Sequence, residues 1–222
     1  MDAEGLNLHT LDDKDTLVFS GKVIAENVTY EDYLAGLHGE HAEWFYGVVI
    51  AMSPIHILHN RIVRFLSTLF DVYLELTTGG EVLLEPMVMK PGEDFPARQP
   101  DLQVLLPDRL PYLQETQVAG PANLVVEVIS PESVRRDRGE KFDEYERGGV
   151  AEYWLIDPQR KEALFYVRGE NNLFESRLPQ DGRYTSHVLA QLQLHVDIFW
   201  QEKPPGVRET VRMVEVMLGE NG

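Results

Sequence analysis

The sequence predicts an α/β fold, a mixed sheet flanked by helices, and three observations lead there. Short apolar runs rich in β-branched residues recur at 102–106, 124–129 and 153–156, the length and composition of strands. Between 55 and 76 the apolar residues Ile57, Leu58, Ile62, Phe65, Leu66, Leu69, Val72, Tyr73 and Leu76 keep the spacing of one helix face. Glycine and proline clusters separate these stretches.

Taken in order, residues 1–22 are polar, with a short run Thr16–Phe19, and read as an extended arm. Thr29-Tyr30-Glu31-Asp32 resembles a capping box that opens a short helix through Leu37. Residues 43–52 read as one strand, broken at Ser53-Pro54. The long helix ends at Gly79-Gly80. Residues 81–90 read as a strand, 91–94 as a turn, and a further strand starts at Asp101. Residues 107–121 form a loop, and the strand carrying Glu127 follows. Ser130-Pro131 suits a helix start, and that helix runs to Arg147, weakened in its first turns by Gly139. Residues 151–157 and 162–167 form a hairpin. Three shorter strands follow at 173–178, 184–189 and 192–199, then a helix at 209–217 beyond Pro204-Pro205. The chain thus reads as an N-terminal arm (1–27), a central region and a C-terminal extension (201–222).

Composition excludes several chemistries. There is no cysteine, hence no disulfide, thiolate zinc site or cysteine nucleophile. No Gly-x-Ser-x-Gly elbow, phosphate-binding Gly-rich loop or His-x-x-x-His pair occurs. No apolar run approaches the roughly 20 residues of a membrane span, and residues 1–10 lack the features of a secretory signal. The expectation is a cytoplasmic protein with no membrane partner. The formal net charge is −17. Residues 1–43 alone hold ten acids against Lys14 and Lys22, a net of −8. Such a chain is not built for tight non-specific binding to nucleic acid. The helix around Lys141 adds no basic patch, because its cations and acids balance.

The chemistry concentrates between 100 and 157. Glu127 stands inside Leu124-Val125-Val126 and Val128-Ile129, so a central strand leaves it no solvated face. A buried carboxylate needs a proton, a cation or a metal beside it. Asp101, at the start of the preceding strand, is its candidate neighbour. Two carboxylates brought together repel unless a divalent ion lies between them. With oxygen donors and no cysteine, a hard cation such as magnesium or manganese fits; without one, Asp101 reads as a strand-end residue and Glu127 as one member of a structural ion pair. Lys141 lies four residues after Asp137 and four before Tyr145. It is either a helix-surface partner of Asp137 or, because Tyr145 shares its face, an inward charge partner of Glu127. Glu43 reads on its own as a solvated strand-end acid. His59, early in the long helix with Arg61 and Arg64 beyond it, reads as a structural or solvated histidine.

An ordered set spans this region: Arg98, Pro100-Asp101, Glu127-Val128-Ile129-Ser130, Lys141, Tyr145, Gly149-Val150, Glu152-Tyr153-Trp154 and Asp157-Pro158. It resembles the PD-(D/E)xK nuclease superfamily and, in detail, the Uma-type bacterial restriction endonuclease family. There the order is Arg-x-Pro-Asp, Glu-Val-x-Ser, Lys-x-x-x-Tyr and Gly-Val-x-Glu-Tyr-Trp-x-x-Asp-Pro. The resemblance implies a restriction-endonuclease-like core over residues 28–200 and a metal-dependent DNA endonuclease. Asp101, Glu127 and Glu43 (matching Glu-x-x-x-Gly) would then hold magnesium or manganese. Lys141 and His59 would complete the catalytic set. The superfamily's lysine usually sits two residues after the glutamate. Here that position is Ile129, and the Uma-type pattern offers Lys141 instead.

Two functions from different classes follow. One is hydrolysis of DNA phosphodiester bonds by a homodimer whose paired subunits concentrate their few basic residues, with Phe199 and Trp200 as candidate interface residues. The other is a catalytically weak or inactive dimeric nuclease-fold module for nucleic-acid or protein interaction, favoured by the acidic charge.

Overall fold

A computed structural model describes residues 22–37, 42–51, 57–130 and 136–219. The expected arm up to residue 21, the break at Ser53-Pro54 and the helix start at Pro131 lie outside the described residues. The strands are β1 (Lys22–Ala25), β2 (Ala42–Phe45), β3 (Val48–Ala51), β4 (Glu81–Leu84), β5 (Val88–Met89), β6 (Leu102–Leu105), β7 (Gln117–Val118), β8 (Leu124–Val128), β9 (Glu152–Asp157), β10 (Glu162–Arg168), β11 (Phe174–Ser176), β12 (Arg183–Thr185) and β13 (Gln193–His195). The helices are α1 (Tyr30–Asp32), α2 (Ile57–Leu76), α3 (Lys141–Gly148) and α4 (Val207–Leu218).

The centre is a six-stranded mixed sheet in the order β11-β10-β9-β8-β6-β4. Only β8 and β9 run parallel within it; the other neighbours are antiparallel. Side chains alternate between its faces. Leu124, Val126 and Val128 join Trp154 and Ile156 under α2, with Val214 of α4 and Leu194 of β13. Val125 and Ile129 join Tyr153, Leu155 and Tyr145 of α3 on the other face. Strand β8 is therefore buried on both sides, which is why its sequence is a near-continuous apolar run. Helix α2 buries Ile62, Phe65, Leu66, Leu69 and Tyr73 of the stripe its spacing predicts, and Phe70 and Leu74 besides, while Ile57 and Leu76 at its two ends are exposed.

Several local readings need correction. Residues 43–52 are not one strand. Tyr46 (φ 46°) and Gly47 (φ 92°) form a two-residue turn, and β2 and β3 pair as a hairpin. Positive φ at both turn positions matches the right-handed twist of the flanking strands. Strand β1, part of the stretch assigned to the arm, pairs with β3. The expected strand 81–90 is split at Pro86, whose ring removes a ladder donor. Strand β5 leaves the main sheet and pairs in parallel with β7, inside what read as a loop. Phe199 is fully buried in the same chain's core and belongs to a 3₁₀ turn, so it is not surface available to a second copy. The predicted helix at 30–37 forms, with Thr29 capping Asp32 N–H, but widens to π winding over Tyr33–Leu37. Gly80 has a steric role: a Cβ there would lie 2.4 Å from the Leu105 carbonyl oxygen.

Glu152, the acid of the Glu-Tyr-Trp run, is fully buried on the α2 face. Its Oε1 accepts from Trp154 Nε1 (2.6 Å) and Tyr184 Oη (2.7 Å). Its Oε2 accepts from Ser186 Oγ (2.9 Å) and the N–H groups of His187 (2.8 Å) and Val188 (2.9 Å). The carboxylate thus fastens residues 184–188 to β9. Glu152→Ala leaves the buried donors of Trp154, Tyr184 and Ser186 without this acceptor, so we expect a loss of about 3–5 kcal/mol. Urea unfolding would measure it; a loss under about 1 kcal/mol would contradict this role.

Candidate active site

The register of the main sheet creates the site. Leu84 pairs with Leu102, and Leu102 with Val126. One step further places Glu85, Asp101 and Glu127 in a single row across three neighbouring strands. Two bonds hold that row: Glu85 N–H donates to the Asp101 carbonyl (3.5 Å), and Val128 N–H donates to Asp101 Oδ2 (2.6 Å). His59, in the first turn of α2, brings Nε2 to 3.2 Å from Asp101 Oδ1. Its Nδ1 is buried and makes no hydrogen bond among the described residues.

Helix α3 supplies the cation. Lys141 is 2% exposed, and its Nζ lies 2.8 Å from Glu127 Oε1, 3.2 Å from Glu43 Oε1 and 3.6 Å from Asp137 Oδ1. Both readings of this lysine meet in the geometry. Asp137 is its partner, but the pair is buried and faces Glu127. Tyr145, one turn on, donates to the same Glu127 oxygen (2.7 Å). Both bonds arrive at Oε1, which leaves Oε2 on the other side of the carboxylate.

Glu43 is also buried, at 1% exposure, rather than solvated. Its Oε2 accepts from Arg98 Nη1 (3.0 Å), and its Oε1 accepts from Gln99 N–H (3.3 Å) beside Lys141. The structure thus brings Asp101, Glu127, Lys141, Glu43 and His59 into one network. Glu85, Arg98 and Asp137 join it, though sequence reading gave them no site role. Glu85 could have been found by extending the ladder, but only once the register was known.

Burial, with repulsion inside the row added to it, raises the proton affinity of its acids. Burial pushes Glu127 up to about 8, opposed by Lys141 and reinforced by Asp101 and Asp137. Burial and then Asp101 push Glu85 up to about 7. Burial works against protonation of His59, but its hydrogen bond to Asp101 and the charges of Asp101, Glu85 and Asp137 outweigh it and raise it. All three groups bind protons more tightly folded than unfolded. Their stabilisation is present at low pH and is lost as pH rises through the folded values. Without divalent ions, we expect thermal stability to fall from about pH 5 to pH 8. Magnesium should flatten that decline, because a cation replaces the protons. A melting temperature that rises over this range would contradict the repulsive row.

Whether the row fits a metal is decided by its donors. Among the described residues, no three His, Asp or Glu side chains are close enough to enclose an ion. Both Glu43 oxygens face cations or an N–H donor, and both Asp101 oxygens are likewise engaged, by His59 Nε2 and Val128 N–H. Asp101 and Glu127 differ from Glu43 in standing on adjacent strands of one row, where they repel each other. This suits magnesium or manganese, which bind through one or two carboxylates and keep several waters.

The six-stranded mixed sheet, with helices on its two faces and acids at adjacent strand ends, defines a restriction-endonuclease-like α/β protein. A solved structure from Anabaena variabilis ATCC 29413, described as "a putative nuclease belonging to DUF820", shares this fold. The TM-score is 0.62 at 16% sequence identity, over 78% of this chain and 97% of that one. The chain belongs to the Uma2 family, whose description reads "Putative restriction endonuclease"; the family model matches residues 29–197. The resemblance read from Arg98 to Pro158 is borne out. A search of curated proteins returns no match. No helix among the described residues is long and apolar enough to cross a membrane. Family and fold together point to a nuclease.

Proposed function

We propose that this chain is a divalent-metal-dependent endonuclease acting on DNA phosphodiester bonds. The observation that carries the reading is the ammonium of Lys141. It comes from α3, not from the strand of Glu127, yet it lies on Glu127 beside Asp101. The network therefore has two carboxylates for an ion and one cation for the phosphate.

In this reading Asp101 and Glu127 hold magnesium or manganese. Such an ion, when bound, lowers the pKa of its water and offsets charge on the phosphate. Lys141 offsets the Glu127 charge and, by its own charge rather than by a direct hydrogen bond, that of a phosphate held near it. Tyr145 fixes the Glu127 rotamer. His59 and Val128 N–H fix the two oxygens of Asp101. Glu43, placed between Arg98 and Lys141, holds the lysine in this reading, a different role from the one the resemblance implies. A homodimer remains part of the reading, with an interface that excludes Phe199.

Plasmid nicking in magnesium or manganese at low salt tests this, with Asp101→Ala as control. Metal-dependent nicking that the control lacks supports it. The net charge of −17 favours a second reading, an interaction module that retains the fold without cleaving. Equal background from both proteins would support that instead.

A further inference from the structure

Arg98 is the most heavily engaged cation beside the site. It is 1% exposed. Its backbone is tied to β5 in both directions: Arg98 N–H donates to Met89 O (3.0 Å) and Met89 N–H donates to Arg98 O (2.8 Å). Its Nε and Nη2 donate to the two oxygens of Glu144, each at 2.7 Å, a bidentate fork. Its Nη1 donates to Glu43 Oε2 (3.0 Å), and its guanidinium carbon lies 4.9 Å from the centre of the Phe45 ring.

Both carboxylates lead to Lys141. Glu43 presents Oε1 to the ammonium. Glu144 stands three residues after Lys141 on α3, on the same side of the helix. A planar fork gripping Glu144 fixes how α3 is rotated about its axis, and so where the Lys141 stem begins. Lysine alone is a point charge on a flexible four-carbon stem. Its placement on Glu127 needs such guides.

We propose that Arg98 is a positioning residue: by gripping Glu43 and Glu144 at once, it holds the Lys141 ammonium on Glu127. The proposal rests on the reading of Lys141 given above. If Arg98 only fastened the β2–β3 hairpin to α3, Lys141 would stay in place in any variant that folds. Arg98→Lys separates the two cases, because it keeps the charge but cannot fork two carboxylates.

The measurement is ¹⁵N NMR of the lysine ammonium groups. The chain has six lysines, and Lys141 is the one buried among those described. Its resonance, identified by its loss in Lys141→Ala, should exchange slowly in the parent. In folded Arg98→Lys we expect that slow resonance to be lost. We also expect kcat for nicking to fall by about 10²-fold, the scale of a small misplacement, with KM little changed. Glu144→Gln adds no lysine and removes one grip of the fork. It should show the same loss, and it decides the case if Arg98→Lys does not fold. A folded variant with an unaltered Lys141 resonance overturns the proposal. Loss of that resonance, in a protein whose cleavage is indifferent to Lys141→Ala, would leave the positioning intact and refute only the catalytic role of Lys141.

Discussion

Glu127→Gln should keep the fold and abolish the thermal stabilisation that magnesium or manganese gives the parent protein. An ion that binds only the folded state stabilises it by mass action, about 2.7 kcal/mol at a hundred times its Kd. For a chain of this size that is roughly 5–10 °C in Tm. Glutamine keeps the shape of the buried carboxyl and an oxygen for Tyr145 but lacks the charge an ion needs. An unchanged metal response in Glu127→Gln would remove Glu127 from the ligand set.

Lys141→Ala should reduce cleavage by about 10²- to 10³-fold, the scale of one lost electrostatic stabiliser. The position that carries the lysine elsewhere in the superfamily supplies a second arm of the test. Ile129 follows Glu127 by two residues, packs on the Tyr145 side of the sheet and is 3% exposed. A lysine there would approach Glu127 from the strand instead of the helix. Ile129→Lys added to Lys141→Ala should therefore restore part of the activity. Folding must be checked, because a buried lysine is costly unless Glu127 pairs with it. A folded, metal-binding Lys141→Ala protein with undiminished cleavage would show that the lysine only balances buried charge.

The elements that position this site were largely legible because their signals are local. The apolar run around Glu127 announced a two-sided strand, and the spacing from 57 to 76 announced α2. The burial of Glu127 followed from its neighbours alone. What escaped depends on pairing between distant segments. Tyr46-Gly47 reverses the chain within an apolar run whose composition is uniform on both sides of the turn. Glu85 enters the acid row only through the registers of β4, β6 and β8, which no single segment encodes. Arg98 was visible as a motif residue, but its grip on Glu43 and Glu144 joins residues 46 to 55 positions apart. Glu43 looked solvated because it starts a strand, and it is buried because α3 and Arg98 close over it.

The central claim is that Asp101 and Glu127 hold a divalent ion beside the Lys141 ammonium. Anomalous diffraction from a crystal soaked in manganese tests it most directly. The account predicts a manganese peak between the Asp101 and Glu127 carboxylates, with Lys141 still on Glu127 and Glu43 still held by Arg98. A fully soaked crystal with no peak at that position, or with the ion on Glu43 instead, would contradict it.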